Sequence, residues 1–326
     1  MRLGDFYQTC IRIGWAADVH SRETVDDQLA SSRREYEALP EHLKPYYDRE
    51  RLTNPFGDTR IAVGSEDVEL RTAMIGIIVD PPEILTAAYL RDRGQRIDAL
   101  IAHHPVGVAR GTNPWEEEPV VGLLTSYGVP RAAIEGAIQD EVARRRAEYD
   151  DFQITAVEEA RRHGFALACV HNPADYCLRR YLEAKLDEAR PQQVGDVVAL
   201  LLTIPEFRPS MAIGAWPRVV AGDPDRPAGR VVAKVAGWIF PLVAYPLMAA
   251  AGVGTVVQFG RSHAHYQAAA QCGINVVCLP HYGADSLGVN LVLDDVERLH
   301  GPLDVIGCHG FTRVRREGAD AFSVLG

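Results

Sequence analysis

The chain has 326 residues, of which 47% are hydrophobic and 24% are charged, and its formal net charge is -10. This length and balance predict a folded protein with a full hydrophobic core and exclude a disordered chain. The negative charge and the lack of a basic stripe with interleaved aromatic residues exclude nucleic acid as the main partner.

The cysteines and the apolar segments indicate the compartment. Six scattered cysteines form no Cys-x-x-Cys pair, which predicts reduced core residues. The first fifteen residues lack the charged start and apolar stretch of a signal peptide. Residues 236–260 carry no charge and are long enough to span a bilayer, but Pro241, Pro246, Gly252 and Gly254 favour two strands and a short buried helix. We therefore predict a cytoplasmic protein without a membrane segment.

The N-terminal part, residues 1–65, is predicted to be a helical extension. Residues 23–39 and 41–52 carry Glu, Arg and Leu in helical proportions, and the run Asn54-Pro55-Phe56-Gly57 ends this pattern. No residue pattern in this part indicates chemistry.

Residues 66–204 are predicted to form a first α/β half. Strands are predicted at 74–79, 97–102 and 165–170, and helices at 82–90 and 156–163. Apolar runs separated by helices are typical of parallel strands buried on both faces, and ligands gather beyond the carboxyl ends of such strands.

The pattern of strands and helices recurs after a polar, proline-rich connecting segment, residues 205–230. Residues 231–326 form the predicted second half, with strands at 231–238, 255–259, 274–279 and 304–308 and helices at 242–251 and 263–272. We predict an α/β fold with two similar αβ halves, mainly parallel strands and the N-terminal helical extension.

Five histidines follow predicted strands by one or two residues: His103, His104, His171, His281 and His309. Loops at strand ends display side chains, and neutral imidazole is a common metal ligand. Two adjacent histidines can point to neighbouring ions, and a following proline restricts the backbone of the second one. His103-His104-Pro105 fits this use.

Two aspartates stand four residues after histidines, as His171/Asp175 and His281/Asp285. This separation brings both side chains to one face if the segment forms a helical turn. Carboxylates can bridge two cations, which makes both aspartates candidate bridging ligands. The alternative for each aspartate is an N-cap of the following helix.

His263 and His265 begin the helix predicted at 263–272, either as solvent-facing residues or as groups that support metal ligands. Other chemical motifs are missing: there is no phosphate loop, no Gly-x-Gly-x-x-Gly after a strand, no Gly-x-Ser-x-Gly and no His-Glu-x-x-His. Their absence argues against a nucleotide-fold oxidoreductase and a serine hydrolase.

Four motifs, in order, resemble those of the NIF-three-like (NGG-interacting factor three-like) dinuclear metal-binding family, which also carries the label GTP cyclohydrolase type two. The motifs are Ile97-Asp98-Ala99-Leu100-Ile101-Ala102-His103-His104-Pro105, His171-Asn172-Pro173-Ala174-Asp175, Gly260-Arg261-Ser262-His263-Ala264-His265 and His281-Tyr282-Gly283-Ala284-Asp285. The resemblance covers roughly residues 70 to 290, and residues 54–60 resemble a longer subgroup of the family.

The resemblance implies a site and an assembly. His103 and His104 would bind separate metals, Asp175, His281 and Asp285 would complete the ligands, and His265 falls on the family's recurring histidine. Two αβ halves would close around the metals, and the chains would form a toroidal hexamer. The sequence departs from the family where Asp285 replaces a glutamate, where Arg261 replaces an acidic residue, and where the usual Trp-Asp-Asn near the start is missing.

These patterns predict a metal-dependent hydrolase with two divalent ions per chain, for which Zn, Mn, Fe, Co or Ni all suit nitrogen and oxygen ligands. The ions would activate water against a small-molecule phosphoester or cyclic amidine, and His171 or His265 would move the proton. The alternative is a non-catalytic regulatory or scaffold protein. Three histidines and two aspartates leave coordination positions unfilled on two ions, which favours catalysis.

Overall fold

The protein is an α/β fold with two sheets of mainly parallel strands and helices at its N-terminus, as predicted. The structure is a computed structural model, and it describes residues 1–111, 117–148, 154–237 and 240–325.

The strands are β1 (Arg60–Val63), β2 (Thr72–Gly76), β3 (Ala99–Ala102), β4 (Ala166–Cys169), β5 (Arg218–Ala221), β6 (Arg230–Lys234), β7 (Val253–Gln258), β8 (Asn275–Cys278) and β9 (Asp304–Cys308). The helices are α1 (Leu3–Ala17), α2 (Arg22–Ala38), α3 (Pro81–Asp92), α4 (Val108–Gly111), α5 (Glu117–Ser126), α6 (Arg131–Glu148), α7 (Ile154–Arg162), α8 (Asn172–Ala189), α9 (Val194–Leu202), α10 (Arg208–Ala212), α11 (Ala244–Ala250), α12 (His263–Gln271) and α13 (His281–His300).

The two sheets repeat one topology. The first has the strand order β1-β4-β3-β2-β9 and the second has the order β5-β8-β7-β6. In each sheet the first of these strands is antiparallel to its neighbour, and the remaining pairs are parallel. This shared order agrees with the two similar αβ halves. β9, from the C-terminal part of the chain, pairs with β2 of the first sheet, and the boundaries of the halves stay a prediction.

The predicted strands exist because their apolar runs are buried on both faces. β2, β3 and β4 are buried at every residue, as in parallel strands covered by helices. One face of the first sheet packs against α3 and α7. The other face shares one hydrophobic core with α1, α8, α13 and the second sheet. The two halves are therefore joined through a common interior.

Helices α8 and α13 pack against each other inside this core. α8 follows β4 and α13 follows β8, so each helix begins at the carboxyl end of a parallel strand. A glycine permits their close approach: a Cβ added to Gly288 would lie 2.6 Å from the carbonyl oxygen of Ala174. The pairing brings together the first turns of both helices.

The N-terminal extension differs in detail from the prediction. The helix predicted at 23–39 is α2, but residues 41–52 form turns and two 3-10 helices, Lys44–Tyr46 and Arg49–Leu52. Pro45 explains this difference because proline lacks an N–H and clashes with the preceding helical turn. α1, which the sequence patterns did not predict, buries Phe6 and Ile13 in the core.

The uncharged segment 236–260 does not form one continuous helix. It contains α11 and β7, as its prolines and glycines predict. The predicted strand 231–238 corresponds to β6, and its last predicted residue, Trp238, lies outside the described residues. Among the described residues, no helix combines the length and apolar character needed to cross a bilayer.

Candidate metal centre

The adjacent histidines His103 and His104 extend the ladder of β3 past its last residue. The N–H of His103 donates to the carbonyl of Gly76, and the N–H of His104 donates to that of Ile77, so both backbones are fixed by β2 and the residue after it. The His103 ring is 1% exposed, and its Nδ1 lies 3.0 Å from the carbonyl oxygen of Val170. This contact makes Nδ1 the donor and leaves Nε2 with a lone pair for a metal.

His171 and Asp175 belong to the first turn of α8. His171 is the N-cap residue, and the N–H of Asp175 donates to its carbonyl at 3.0 Å, so the segment forms the helical turn on which the four-residue spacing depends. His171 Nδ1 lies 2.8 Å from Oδ2 of the fully buried Asp58. The aspartate orients the imidazole as carboxylates do beside metal-binding and catalytic histidines.

His281 and Asp285 are paired in a similar way in α13: His281 is its first residue, after the N-cap residue Pro280, and Asp285 lies about one turn further along the helix. The His281 ring packs against Phe259, with ring centroids 4.4 Å apart. Because α8 and α13 begin side by side, the histidines and aspartates at their N-terminal ends meet His103 and His104 at the edge of the first sheet.

Six side chains converge in this cluster. Three overlapping sets have ligand atoms within 4.8 Å of one another: His103/His104/His171, His104/His281/Asp285 and His103/Asp175/Asp285. The structure thus brings together the five residues proposed as metal ligands, and His171 lies with them.

Asp285 belongs to two of these three sets. Its Oδ1 is 3.7 Å from Nε2 of His103, and its Oδ2 is 3.3 Å from Nε2 of His104 and 3.5 Å from Nε2 of His281. The side chain is 1% exposed, and neither oxygen has a hydrogen-bond partner within the described part of the chain. A buried carboxylate without partners carries a large desolvation penalty, and a metal ion removes it. The imidazole and carboxylate donors of this cluster therefore fit a divalent metal ion.

Burial shapes the protonation of the cluster. Burial, assisted by the charge of His171, lowers the pKa of His104 to about 3 and holds the pKa of His103 well below its usual value. Burial also raises the pKa of Asp285 to about 6 and that of Asp175 to about 8. These imidazoles stay neutral near pH 7, which is the state that binds a metal, and a cation would reverse the shift of the carboxylates.

The pKa of His171 is shifted in the opposite direction from those of His103 and His104. Burial alone would lower its pKa, but Asp175 and Asp58 raise it to about 10. A proton on this ring is therefore stabilised by two carboxylates, in contrast to the rings of His103 and His104.

The histidines of the third motif lie outside the three ligand sets. His263 is exposed at the start of α12. His265 places Nδ1 2.8 Å from the hydroxyl of Ser262 and Nε2 2.9 Å from the carbonyl oxygen of Phe240. Its ring packs beside Phe240 and Tyr245 rather than in the ligand cluster.

Two residues near the cluster were not predicted as part of the site. Asp58 lies in the segment 54–60 that carries the subgroup resemblance, two residues before β1, and that resemblance was the signal available in the sequence. Lys234, at the end of β6, is 1% exposed and donates to the carbonyls of Ala236 and Gly237. Its charge acts on Asp175 and favours the ionised carboxylate. Nothing in the local sequence connects Lys234 to the histidines.

Comparison with solved structures finds proteins of similar fold. A NIF3 superfamily protein from Sphaerobacter thermophilus is 27% identical over 78% of this chain and 91% of its own, with a TM-score of 0.67. The chain has the fold of the NIF3 superfamily. A Bacillus cereus protein related to NIF3 covers 94% of this chain and 99% of its own, at 11% identity and a TM-score of 0.44. No protein-family model and no curated protein matches the sequence.

Proposed function

We propose that this protein holds two divalent metal ions and uses them to hydrolyse a small-molecule substrate. The proposed ligands are His103, His104, Asp175, His281 and Asp285. The observation that carries this proposal is the position of Asp285, whose two buried oxygens have no described hydrogen-bond partner and face different histidines. With two ions bound, Asp285 would offer them its two oxygens, although the family motif has a glutamate at this position.

The exposure of the ligands indicates where a substrate enters. The side chains of His103, Asp175 and Asp285 are buried, whereas those of His104 and His281 are 24% and 51% exposed. The solvent side of the cluster is therefore the side of His104 and His281. We call this side the mouth of the site.

Two bound divalent ions supply Lewis acidity, which makes water a nucleophile near neutral pH and polarises the bond to be cleaved. Around them, His171 is the candidate proton carrier because Asp58 holds its Nδ1 and the ring borders His103 and His104. His265 is the second candidate, but a proton passing through it would have to displace the Ser262 or the Phe240 contact.

The metal content of purified protein tests this function. We expect about two ions per chain in the wild type by elemental analysis, and clearly fewer in Asp285→Asn and His104→Ala. His42→Ala removes an exposed histidine from the N-terminal extension and should keep the wild-type metal content. A folded wild type without stoichiometric metal would overturn the proposal.

Activity separates the hydrolase from the alternative function. Metal-loaded protein, supplied with Zn, Mn, Fe, Co or Ni, should cleave a phosphoester or a cyclic amidine substrate, and Asp285→Asn should lose this activity. Full metal loading without turnover on either class would favour the regulatory or scaffold protein. The hexamer implied by the family resemblance is a separate prediction, which light scattering after size-exclusion chromatography would test.

A further inference from the structure

Ser262 and His265 form a hydrogen-bonded pair outside the three sets of metal ligands. Ser262 is the N-cap residue of α12, the helix that follows β7, and His265 lies in the first turn of that helix. The hydroxyl oxygen of Ser262 is 2.8 Å from Nδ1 of His265. The pair therefore stands between the carboxyl end of a parallel strand and the next helix, where ligands gather in α/β folds.

The contacts of His265 fix which ring nitrogen carries the hydrogen. Its Nε2 lies 2.9 Å from the carbonyl oxygen of Phe240. A carbonyl oxygen can only accept, so Nε2 donates, and Nδ1 of the neutral ring is the nitrogen that accepts. The hydroxyl of Ser262 therefore donates to Nδ1. This is the direction in which a general base activates a nucleophile, with a third group orienting the base.

Ser262 does not have the usual role of a serine at the start of a helix. An N-cap serine accepts a hydrogen bond from a backbone N–H two or three residues later. Ser21 at the start of α2 does so, with the N–H of Thr24 as donor. The side chain of Ser262 makes no such bond with the described first turn of α12, and the N–H of His265 donates to its carbonyl instead. The hydroxyl of Ser262 is thus aimed at an imidazole and not at the backbone.

The base is held in place, whereas the nucleophile is open to solvent. The ring of His265 is half-buried, and its centroid lies 6.3 Å from that of Phe240 and 6.2 Å from that of Tyr245. Tyr245 is fixed in turn, because its hydroxyl donates to the side-chain oxygen of Gln258 at 3.1 Å. Ser262 is exposed. A substrate can therefore reach the hydroxyl of Ser262 without displacing the base.

The start of α12 offers hydrogen-bond donors beside the hydroxyl of Ser262. The first N–H groups of a helix have no acceptor within the helix and form the positive end of its dipole. In α12 the side chain of the N-cap residue does not occupy them. Such groups stabilise an oxyanion that forms next to them.

We propose that Ser262 is a nucleophile, with His265 as its general base, in a metal-independent site that hydrolyses carboxylic esters. The oxygen of Ser262 bonds to the carbonyl carbon of the ester while its proton moves to Nδ1 of His265. The bond to the alkoxide then breaks, and the alkoxide takes that proton as it leaves. Water repeats these steps on the acyl-serine, which releases the carboxylic acid and restores the hydroxyl. This activity does not depend on the proposed metal function.

Hydrolysis of p-nitrophenyl acetate by chelator-treated protein tests the site. We expect Ser262→Ala to lower the rate at least about a hundredfold, because nucleophile and base act as a unit. Ser31→Ala, which removes an exposed serine from α2, should hydrolyse the ester like the wild type. Equal rates in the wild type and Ser262→Ala would overturn the inference. A rate that disappears with chelator and returns with Zn or Mn would assign the ester to the metal centre and would overturn it too.

His265→Asn distinguishes a base from a structural hydrogen bond. The side-chain oxygen of asparagine can accept from Ser262 but does not take its proton. We expect His265→Asn to lose the ester hydrolysis as fully as Ser262→Ala, with far-UV circular dichroism like that of the wild type. A full rate in His265→Asn would make the contact structural and contradict the assignment of the base.

A covalent adduct identifies the nucleophile directly. Peptide mass spectrometry after brief reaction with a fluorophosphonate should find the phosphonyl group on Ser262, both in the wild type and in Ser31→Ala. His265→Asn should be labelled much more slowly, because the hydroxyl has lost its base. Adducts confined to other residues would overturn the inference. Because the protein in these experiments is metal-free, the outcome is independent of whether the metal hydrolase proposal holds.

Discussion

Asp285 is the residue on which the electrostatics of the site depend. It is buried beside His103 and His104, whose own burial keeps them neutral, and the charges of His281 and His171 offset only part of the burial penalty on its ionised form. The pKa of Asp285 of about 6 describes this state, because the usual value of an aspartate is near 4. The metal-free site therefore stores an unfavourable interaction that metal binding removes.

We expect Asp285→Asn to stabilise the metal-free protein at pH 7. The folded pKa of Asp285, about 6, lies above the unfolded value of about 4. Between these two pH values the folded wild type holds a proton that the unfolded chain has released. Raising the pH from about 4 to 6 therefore destabilises the folded wild type relative to the variant, by about 3 kcal/mol in total. Urea unfolding with a chelator at several pH values measures this difference. If the difference in free energy of unfolding between the wild type and Asp285→Asn does not change with pH, the raised pKa of Asp285 is contradicted.

With metal present, we expect Asp285→Asn to be less stable than the wild type, the reverse of the metal-free result. Added Zn or Mn should raise the free energy of unfolding of the wild type, since a ligand that binds the folded state stabilises it. The same metal should raise the free energy of unfolding of Asp285→Asn much less. Stabilisation of both proteins to the same extent would mean that the metal binds elsewhere.

Sequence patterns pointed to the clustered histidines and aspartates but not to the charged residues beside them. The five proposed ligands were singled out because each follows an apolar strand or stands four residues from a histidine, and the structure brings them together. Asp58 and Lys234 were not predicted, because their connection to the cluster depends on contacts between distant segments. Local patterns reveal residue types at strand ends, whereas the partners that orient and charge them appear only in three dimensions.

At the scale of elements, the paired helices α8 and α13 determine whether the two aspartates meet. Asp175 lies in the first turn of α8, Asp285 lies near the N-terminal end of α13, and Gly288 stands about one turn after Asp285. The atoms that a Cβ at position 288 would meet are the carbonyl oxygen and carbon of Ala174, at 2.6 and 3.0 Å. These are backbone atoms next to Asp175, so they cannot move without moving the ligand.

We expect Gly288→Ala to separate the two helices and weaken the metal site. The free energy of unfolding should fall by about 1–3 kcal/mol, as in other overpacked interiors, and the number of bound metals should fall with it. Gly136→Ala is the matched control, because Gly136 is exposed in α6 and a Cβ there meets no atom within 4 Å. That substitution should stabilise the helix by about 0.5–1 kcal/mol. Normal metal content in Gly288→Ala would show that the helices can separate without disturbing the ligands.

The elements themselves were unequally predictable. Parallel strands such as β2 and β3 appear in the sequence as short apolar runs, and the sequence predicted them to within a few residues. α13 was missed because it is buried on nearly all sides from Gly283 to Leu293, so no 3.6-residue alternation of polar and apolar residues marks it. A single proline was enough to make the helix prediction at 41–52 wrong.

At the scale of the whole molecule, the C-terminal segment ties the connecting segment to α13. Arg316 makes two contacts of 2.7 Å with the carboxylate of Glu206, one to each oxygen. The amide of Asn290, in α13, donates to the same carboxylate at 3.0 Å. Both charged side chains are nearly inaccessible to solvent, so each depends on the other for its stability.

We expect Glu206→Gln to destabilise the protein by about 3 kcal/mol, because the buried guanidinium of Arg316 would lose its counter-charge. Asp67→Asn is the control: it breaks the ion pair with Arg2 in which both side chains are mostly exposed, and it should cause no measurable change. Urea unfolding compares the two variants. Equal stabilities would mean that water reaches the Glu206 pair and replaces the lost interaction.

The pairing of β9 with β2 affects how the chain is made. β2 spans Thr72–Gly76, and its partner on one side is Asp304–Cys308, so that edge of the first sheet stays open until the ribosome has produced residues 304–308. At about 5–20 residues per second, the apolar strand waits for roughly tens of seconds with unpaired backbone groups. During synthesis, this strand edge is a place where a chaperone would protect the nascent chain from aggregation.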